Sequence, residues 1–404
     1  MHEGSGTTTF SRLIAEEVLE IGDGYRAKLE ELGGNGPIFL RAGLLSERGF
    51  DWNTAERFHS SVVSRLQSKL GVAGDTIVTT KGNSIGRTGY VPAGSPEFAY
   101  SPHLSYWRSL KPECLNSRFL YYWSRSQEFA AQLEATAHST DMAPYISLAD
   151  QRRLKIHLPE VEVQKNVARL LGALDDKIAV NEQVAVTSDD LAASLLQQAT
   201  NEDREMLEVR LSEIAVINQR KAVPALNGHL RYVDISSVSR GSIAWPRRTP
   251  WGKAPSRARR GVSPGDTIWS TVRPGRRSYA LILADDPELV TSTGFAVLTP
   301  VKVGPAFLYE VTKRDEFVQY LESVAEGSAY PAVRADRFEQ ATVPLLSPRR
   351  LREFEECVMP IRRRVNAAQA ESRLLADVRD MLLPKLMSGE IRVRDAERIV
   401  EDAI

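Results

Sequence analysis

The chain has 404 residues, more than one ordinary core accommodates, so two or three domains are expected. Hydrophobic residues make up 42% and charged residues 26%, the balance of a globular chain, and no apolar run of 18 residues is present to span a membrane. Net charge is zero, and the two cysteines, Cys114 and Cys357, are too few for a metal cage or a disulfide framework, so a reducing, cytoplasmic setting is expected.

In chain order, the opening MHEGSGTTTFSRLIAEE lacks a basic region followed by an apolar run and does not read as a secretory signal. Gly33-Gly34-Asn35-Gly36 marks a loop. Thr76-Ile77-Val78-Thr79 reads as a strand, closed by a turn at Lys81-Gly82-Asn83. Ser117 to Leu133 reads as helical. A long amphipathic helix follows, with Val163, Val167, Leu170, Leu174, Ile178, Asn181, Val184, Leu191 and Leu195 on one narrow stripe. This region is acidic: Glu160 to Glu205 holds ten acids against four bases.

The second half begins with short β-rich runs and a basic stretch. From Arg240 to Ala280, ten bases face the single acid Asp266, interleaved with Trp245, Trp251, Trp269 and five prolines. A basic run is often only a solvated face, but this mixture suits a contoured binding surface. Thr267-Ile268-Trp269-Ser270 reads as a strand ending near Pro274-Gly275, and Phe307 to Val324 as helical. A second stripe runs through Leu351, Phe354, Val358, Ile361, Val365, Ala368, Leu375, Val378 and Leu382. Pro360 should kink or locally open that helix, and Leu383-Pro384 with Ser388-Gly389 should end it. Roughly 38 residues at ~1.5 Å each make each stripe a rod of about 57 Å.

These elements form a duplication. Gly74-Asp75-Thr76-Ile77 recurs as Gly265-Asp266-Thr267-Ile268, Phe119-Leu120-Tyr121 as Phe307-Leu308-Tyr309, Glu128-Phe129 as Glu316-Phe317, and Leu195-Leu196 as Leu382-Leu383. The order is kept and the offset drifts by only a few residues, as small loop insertions produce. Each half reads as a mixed α+β domain followed by a long helix, and each helix can bury its stripe against the other. Antiparallel pairing would relate the halves by a pseudo-two-fold axis, so that one chain imitates a dimer on a two-part site about one DNA turn (~34 Å) or more across.

Catalytic signatures are lacking. No G-x-x-x-x-G-K-S/T phosphate loop, no G-x-G-x-x-G after a strand and no Asn-Pro-Pro-aromatic tetrapeptide occurs. The histidines His2, His59, His103, His138, His157 and His229 lack metal-ligand spacing. His138 and Asp141 lie close in sequence, but AHSTDMAPY reads as a loop.

LLGALDDKIAVNEQ from Leu170 and LLPKLMSGEIRV from Leu382 closely resemble the two helical regions of type I restriction–modification specificity subunits. The GDTI and KGNSIGR stretches, FLYYW, and ISLADQRRLKIHLPEVEVQ resemble that family's first target-recognition domain. Met1 to about Asn35 aligns poorly with the second half. VRPGRRSYAL replaces TKGNSIGRTGYV and loses the central glycine, and ATVPLLSPRRLREFE is a poor copy of LKIHLPEVEVQ.

The resemblance implies a mixed α/β chain with two target-recognition domains, 1–159 and 201–347, separated by spacer helices at 160–200 and 348–404, the latter with a tail. It implies a non-catalytic subunit whose domains each read half of a bipartite DNA site. The helices would set the unread spacer and dock two adenine methyltransferase subunits, with restriction subunits joining in some complexes. S-adenosylmethionine, ATP and magnesium would belong to those partners. The rival readings are a stand-alone methyltransferase or nuclease and a protein-binding adaptor.

For DNA contact the candidates in the first domain are Lys81, Asn83, Ser84 and Arg87, in a turn that follows a strand, with Ser139, Thr140 and Tyr145. Arg and Lys pair with guanine and Asn with adenine, although most protein–DNA hydrogen bonds go to phosphate. In the second domain they are Arg247, Arg248, Lys253, Arg257, Arg259, Arg260, Arg273, Arg276 and Arg277, with Ser328 and Tyr330 in the loop matching Tyr145. Trp107 and Tyr121 are expected in the core. For partner docking the candidates are exposed helix faces carrying Asp175, Asp176, Lys177, Asn181 and Glu182, and Arg362, Arg363, Arg364 and Asn366.

Overall fold

The computed structural model describes residues 6–46, 49–137, 145–223 and 228–403. Contacts divide the chain into two compact units, Met1–Lys177 with Leu374–Ile404, and Ile178–Arg373. The first unit is assembled from two separated stretches because each long helix begins in one unit and ends in the other.

The first unit runs β1 (Gly6–Thr9), α1 (Phe10–Ala15), β2 (Leu19–Asp23), β3 (Ile38–Leu40), β4 (Leu45–Ser46), β5 (Gly49–Phe50), α2 (Val63–Leu66), β6 (Thr76–Thr79), β7 (Thr88–Tyr90), β8 (Phe98–Tyr100), β9 (Leu104–Ser109), α3 (Ser117–Trp123), α4 (Gln127–Ala137), α5 (Leu148–Arg152) and β10 (Lys155–Leu158). Helix α6 (Val161–Glu202) then carries the chain into the second unit. An antiparallel sheet orders β2-β9-β6-β7. Strand β3 pairs in parallel with β8, β4 pairs with β5, and β1 returns to β10. Phe10, Trp107, Trp123 and Phe129 interlock beneath the sheet, with Phe10 edge-on to Trp107 at 5.0 Å between ring centroids.

The second unit continues with β11 (Leu207–Arg210), α7 (Leu211–Ile214), β12 (Ala215–Ile217), β13 (His229–Val233), β14 (Val238–Ser239), β15 (Ser242–Ile243), β16 (Arg248–Pro250), β17 (Ala258–Gly261), β18 (Thr267–Ser270), β19 (Tyr279–Leu281), β20 (Leu289–Ser292), β21 (Phe295–Pro300), α8 (Pro305–Lys313), α9 (Asp315–Ser323), α10 (Ala335–Gln340) and β22 (Thr342–Leu345). Helix α11 (Pro348–Met387) returns the chain to the first unit, where α12 (Val393–Ala403) ends the described residues.

The repetition extends to hydrogen-bond register. Sheet β12-β21-β18-β19 repeats β2-β9-β6-β7, with Thr267 opposite Leu298 as Thr76 is opposite Trp107. The parallel pair β13–β20 repeats β3–β8, and β11–β22 repeats β1–β10. The two stretches that align poorly in sequence therefore match in structure: β1-α1-β2 matches β11-α7-β12, and β22 matches β10. What is kept there is main-chain pairing between residues far apart in the chain, which leaves little trace in side-chain identity. The second unit adds β16 and β17, which flank β13 and β20 at opposite edges of one sheet.

The repeated Gly-Asp-Thr-Ile tetrapeptide has one structural job. Gly74 and Gly265 take φ of +94° and +97°, open to glycine at little cost. The following aspartate is fully buried and accepts the backbone N–H three residues earlier, Val72 for Asp75 and Ser263 for Asp266. Arg108, on β9, pairs with Asp75. The corresponding position on β21 is Thr299, and Asp266 is instead paired by Arg220.

The long helices run antiparallel within each unit. In the second unit Asn181 pairs with Glu371, Asp189 with Arg362 and Glu202 with Arg350; in the first, Asp175 pairs with Arg379. Their stripes are broader than a coiled-coil seam. Ala192, Leu196, Phe354 and Val358 share one core with Phe307, Leu308, Val343 and Leu346 of the second domain, so the helices pack on the domain as well as on each other. Val163 and Leu191 are 43% and 50% exposed, and Ala192 and Leu196 are buried instead. The 3.6-residue turn drifts against a 3.5-residue stripe, which accounts for the displacement. Helix α11 continues through Pro360, where one i−4 hydrogen bond is lost but the buried Val358 and Val365 hold the helix in place. It passes Pro384 and ends before Gly389, whose φ is +72°. Among the described residues no helix is long and apolar enough to cross a membrane.

Candidate DNA interface

In the first unit the turn after β6 is a compact loop. Gly86 N donates to the Thr79 carbonyl, Ile85 N to Gly82 and Arg87 N to Ser84, while Gly82 and Gly86 both sit at φ +80°. A second segment is fastened alongside, with Ile146 N donating to the Thr80 carbonyl and Lys81 bridging to Tyr145. The Lys81 ammonium lies 4.6 Å from the centre of the Tyr145 ring, and Tyr145 is 47% exposed. Such a pair keeps a cation at the surface in a defined position beside an aromatic edge. Asn83 and Ser84 form the tip, Asn83 exposed and Ser84 half-buried. Arg87 is exposed, but its guanidinium donates to the Leu45 carbonyl at 2.8 Å, bracing the loop against β4. Ser139 and Thr140 lie outside the described residues, as do His138 and Asp141.

The second unit repeats this arrangement with different residues. After β18 the chain is held by Arg273 N donating to Pro331 O and by a bridge between Val272 and Ala332. The Arg273 guanidinium lies 4.4 Å from the centre of the Tyr330 ring and donates to the Ala329 carbonyl at 2.9 Å. Tyr330 is 70% exposed, and Ser328 beside it is exposed. Arg273 and Arg277 take left-handed φ of 52° and 55°, the conformation that Gly82 and Gly86 supply in the first unit. The lost central glycine is thus replaced by strained arginines held by neighbours, Arg273 by Ala329 and Tyr330, Arg277 by Asp315. Arg276, between them, is exposed.

The rest of the basic stretch does not form one surface. Arg247, Arg248 and Lys253 lie at the β16 edge, and Arg257, Arg259 and Arg260 at the β17 edge, the opposite side of the same sheet. Arg248 is committed to Glu288 by a two-pronged pair, which raises its pKa and lowers that of Glu288. Arg260 is half-buried, its Nε without a hydrogen-bond partner among the described residues, whereas Arg247, Lys253, Arg257 and Arg259 are exposed. The interleaved tryptophans are wholly or partly packed into the domain. Trp269 is fully buried, Trp251 packs on a core cluster, and Trp245 lies beneath Arg373. Sequence reading failed here because strand order, which separates neighbours in sequence, is a tertiary property. Trp107 is fully buried and Tyr121 half-buried among Tyr90 and Tyr122, in keeping with the core role expected of both.

The helix faces also need correction. Asp176, Glu182, Arg363 and Arg364 are exposed, and Lys177 and Asn366 half-buried. Asp176 already holds Arg118 of α3 at 2.6 Å. Asp175, Asn181 and Arg362 are not on an exposed face. Asp175 accepts the Tyr122 hydroxyl and Arg379, Asn181 is 2% exposed and donates to Glu371, and Arg362 is 5% exposed between Glu310 and Asp189. Helical phase puts them on the packed side. Burial pushes the Glu310 carboxyl up against the pull of Lys313 and Arg362; burial acts the same way on Asp189, but there those two cations win and hold it low. The interacting residues that sequence reading missed are Tyr122, Asp189, Glu310 and Arg379; the one available signal was Tyr122 standing where the repeat has Glu310.

Each unit thus presents the same structural class, an α+β domain that offers a cation–tyrosine pair on a strand-end loop and is packed on two antiparallel helices. Residues 16–186 match the family described as type I restriction modification DNA specificity domain. The chain is 26% identical over 172 residues to the specificity subunit of the type I restriction enzyme MjaVIII of Methanocaldococcus jannaschii, covering 42% of this chain and 40% of that protein. It is 24% identical over 111 residues to the HindI specificity subunit of Haemophilus influenzae, covering 26% of this chain and 24% of that one. These matches span less than half of either relative. The crystal structure of a type I restriction–modification S subunit from M. genitalium superposes with a TM-score of 0.58 at 16% identity, over 96% of this chain and 97% of that one, which shows a shared fold. Residues 16–186 thus carry a likeness to type I restriction–modification specificity domains, and the likeness over the rest of the chain is one of fold.

Proposed function

We propose that the chain is the non-catalytic sequence-recognition subunit of a type I restriction–modification complex in the cytoplasm. Each domain reads one half of a bipartite double-stranded DNA site. The helices set the unread spacer and dock two adenine methyltransferase subunits, with restriction subunits joining where the system has them. S-adenosylmethionine, ATP and magnesium act on those partners.

The observation that carries this reading is the recurrence of Lys81–Tyr145 and Arg273–Tyr330 at the same strand end of a duplicated fold. A cation at a fixed height anchors a phosphate, which sets the register of the domain on the duplex. Neighbouring tips then differ: Asn83 and Ser84 in one unit, Arg276 and Ser328 in the other. Asn favours the adenine edge and Arg the guanine edge, so different tips suit two unlike half-sites.

The test is methylome sequencing of cells that contain the chain and its cognate methyltransferase. A split adenine-methylated motif should depend on the chain. Lys81→Ala with Tyr145→Ala should weaken or relax one half of the motif, and Arg273→Ala with Tyr330→Ala the other half. A motif indifferent to the chain, or both halves responding to both variants equally, would refute the reading.

A further inference from the structure

Each unit has a polar junction in which a domain helix and both long helices take part, and the two junctions have opposite charge order. In the first, α3 contributes Tyr122, whose hydroxyl donates to Asp175 of α6 at 2.6 Å; Asp175 in turn accepts from Arg379 of α11 at 2.6 Å. In the second, α8 contributes Glu310, which accepts from Arg362 of α11; Arg362 in turn donates to Asp189 of α6 at 2.7 Å. The repeat makes Tyr122 and Glu310 equivalent, within FLYYWSR and FLYEVTK, and likewise Asp175 and Arg362. Arg125 and Lys313 are a third equivalent pair, each resting over the matching tyrosine, Tyr121 and Tyr309; Lys313 also pairs with Glu310 and Asp189, and Arg125 with Asp380 of α11. Tyr122, Glu310 and Arg362 are all at most 5% exposed, so a wrong charge there has little access to water.

We infer that these junctions are keys: the residue at the Tyr122/Glu310 position reads the charge of the helix beneath it, so each domain docks only on its own slot. A hydroxyl donor fits the aspartate slot, and a carboxylate fits the arginine slot. The second domain set in the first slot would place a buried carboxylate on Asp175. The same code polarises the helices. In both junctions α6 supplies the acid and α11 the arginine. If a second α6 stood where α11 stands, the 187-residue offset of the repeat would bring Asp175 within a turn of Asp189; two α11 helices would oppose Arg362 and Arg379. A second copy of this chain could therefore exchange halves only through α6 with α11.

The test is a set of full-chain variants measured by thermal unfolding. Tyr122→Glu, Asp175→Arg and Arg379→Asp should each lower Tm, by about 10 °C for a buried charge left without its partner. Combined, the three changes rebuild in the first unit the charge order of the second, and Tm should return to within a few degrees of the parent. Tyr122→Gln serves as the uncharged comparison and should cost less than Tyr122→Glu. Should the triple variant be no more stable than its single members, or should Glu and Gln at 122 cost the same, the key does not exist. Arg118 faces the same site but is engaged by Asp176 and the Gly172 carbonyl. If Arg118 is what accommodates the glutamate, Tyr122→Glu is tolerated without its companions, which also overturns the inference.

Discussion

Asp75→Asn is the most direct probe of the repeated turn that launches β6 and, beyond it, the Lys81 loop. Asp75 is fully buried and accepts four donors: Val72 N at 2.9 Å, the Tyr100 hydroxyl at 2.6 Å, and Arg108 Nε and Nη2 at 2.7 and 2.8 Å. An asparagine has the same shape but turns one acceptor into a donor, so whichever way the amide lies it confronts donors. Arg108, with 22% of its side chain exposed, is left with the Leu70 carbonyl at 3.2 Å and Glu20 at 3.7 Å. Breaking a buried pair costs about 3–5 kcal/mol, and partial exposure of the arginine puts this one near the lower end. For a unit of this size about 3 kcal/mol lowers Tm by roughly 6–12 °C. Asp266→Asn is the internal control. Its arginine, Arg220, is 39% exposed and can return to water, so about 1–2 kcal/mol is expected. Differential scanning calorimetry of the full chain at pH 7 measures both. An Asp75→Asn loss no larger than that of Asp266→Asn would show that burial of the arginine does not set the cost.

Three further outcomes are expected. Lys81→Ala and Arg273→Ala should each flatten the logarithmic salt dependence of DNA affinity by about one phosphate contact, read by fluorescence anisotropy of the assembled complex across a salt series. An unchanged slope with altered base preference would assign them to base edges instead. Gly86→Ala should lower Tm by several degrees and weaken DNA binding, because its φ is +80° and a Cβ would fall 2.2 Å from the Leu133 side chain. Gly82→Ala, equally left-handed but open on all sides, should cost less. Asp189, held below its ordinary value of 3.8 by Lys313 and Arg362 against the cost of burial, binds fewer protons folded than unfolded. Its contribution is therefore fully present above the ordinary value and is lost as pH falls through the lower folded one. The Tm gap between the parent and Asp189→Asn should be widest near neutrality and close in acid, and a gap that widened in acid would reverse the assignment.

Much of this protein is written locally. The Gly-Asp-Thr-Ile turn needs a left-handed glycine and an aspartate that closes back on its own backbone, and both halves spell it out. The stripes of α6 and α11 follow from helical periodicity, and the duplication from ordered recurrence of such signals, so the architecture was legible in the sequence. Tertiary structure alone decided which charges meet. Lys81 meets Tyr145 and Arg273 meets Tyr330 where main-chain bridges join segments tens of residues apart in the chain. Arg247 and Arg259, twelve positions apart, were sent to opposite edges of a sheet, while Arg362 and Asn181, read as surface, went inside. Turns and periodicity are set by neighbours along the chain and survive in the sequence. Strand order, helix phase and ion pairing are set by residues tens to hundreds of positions away, and no local pattern records them.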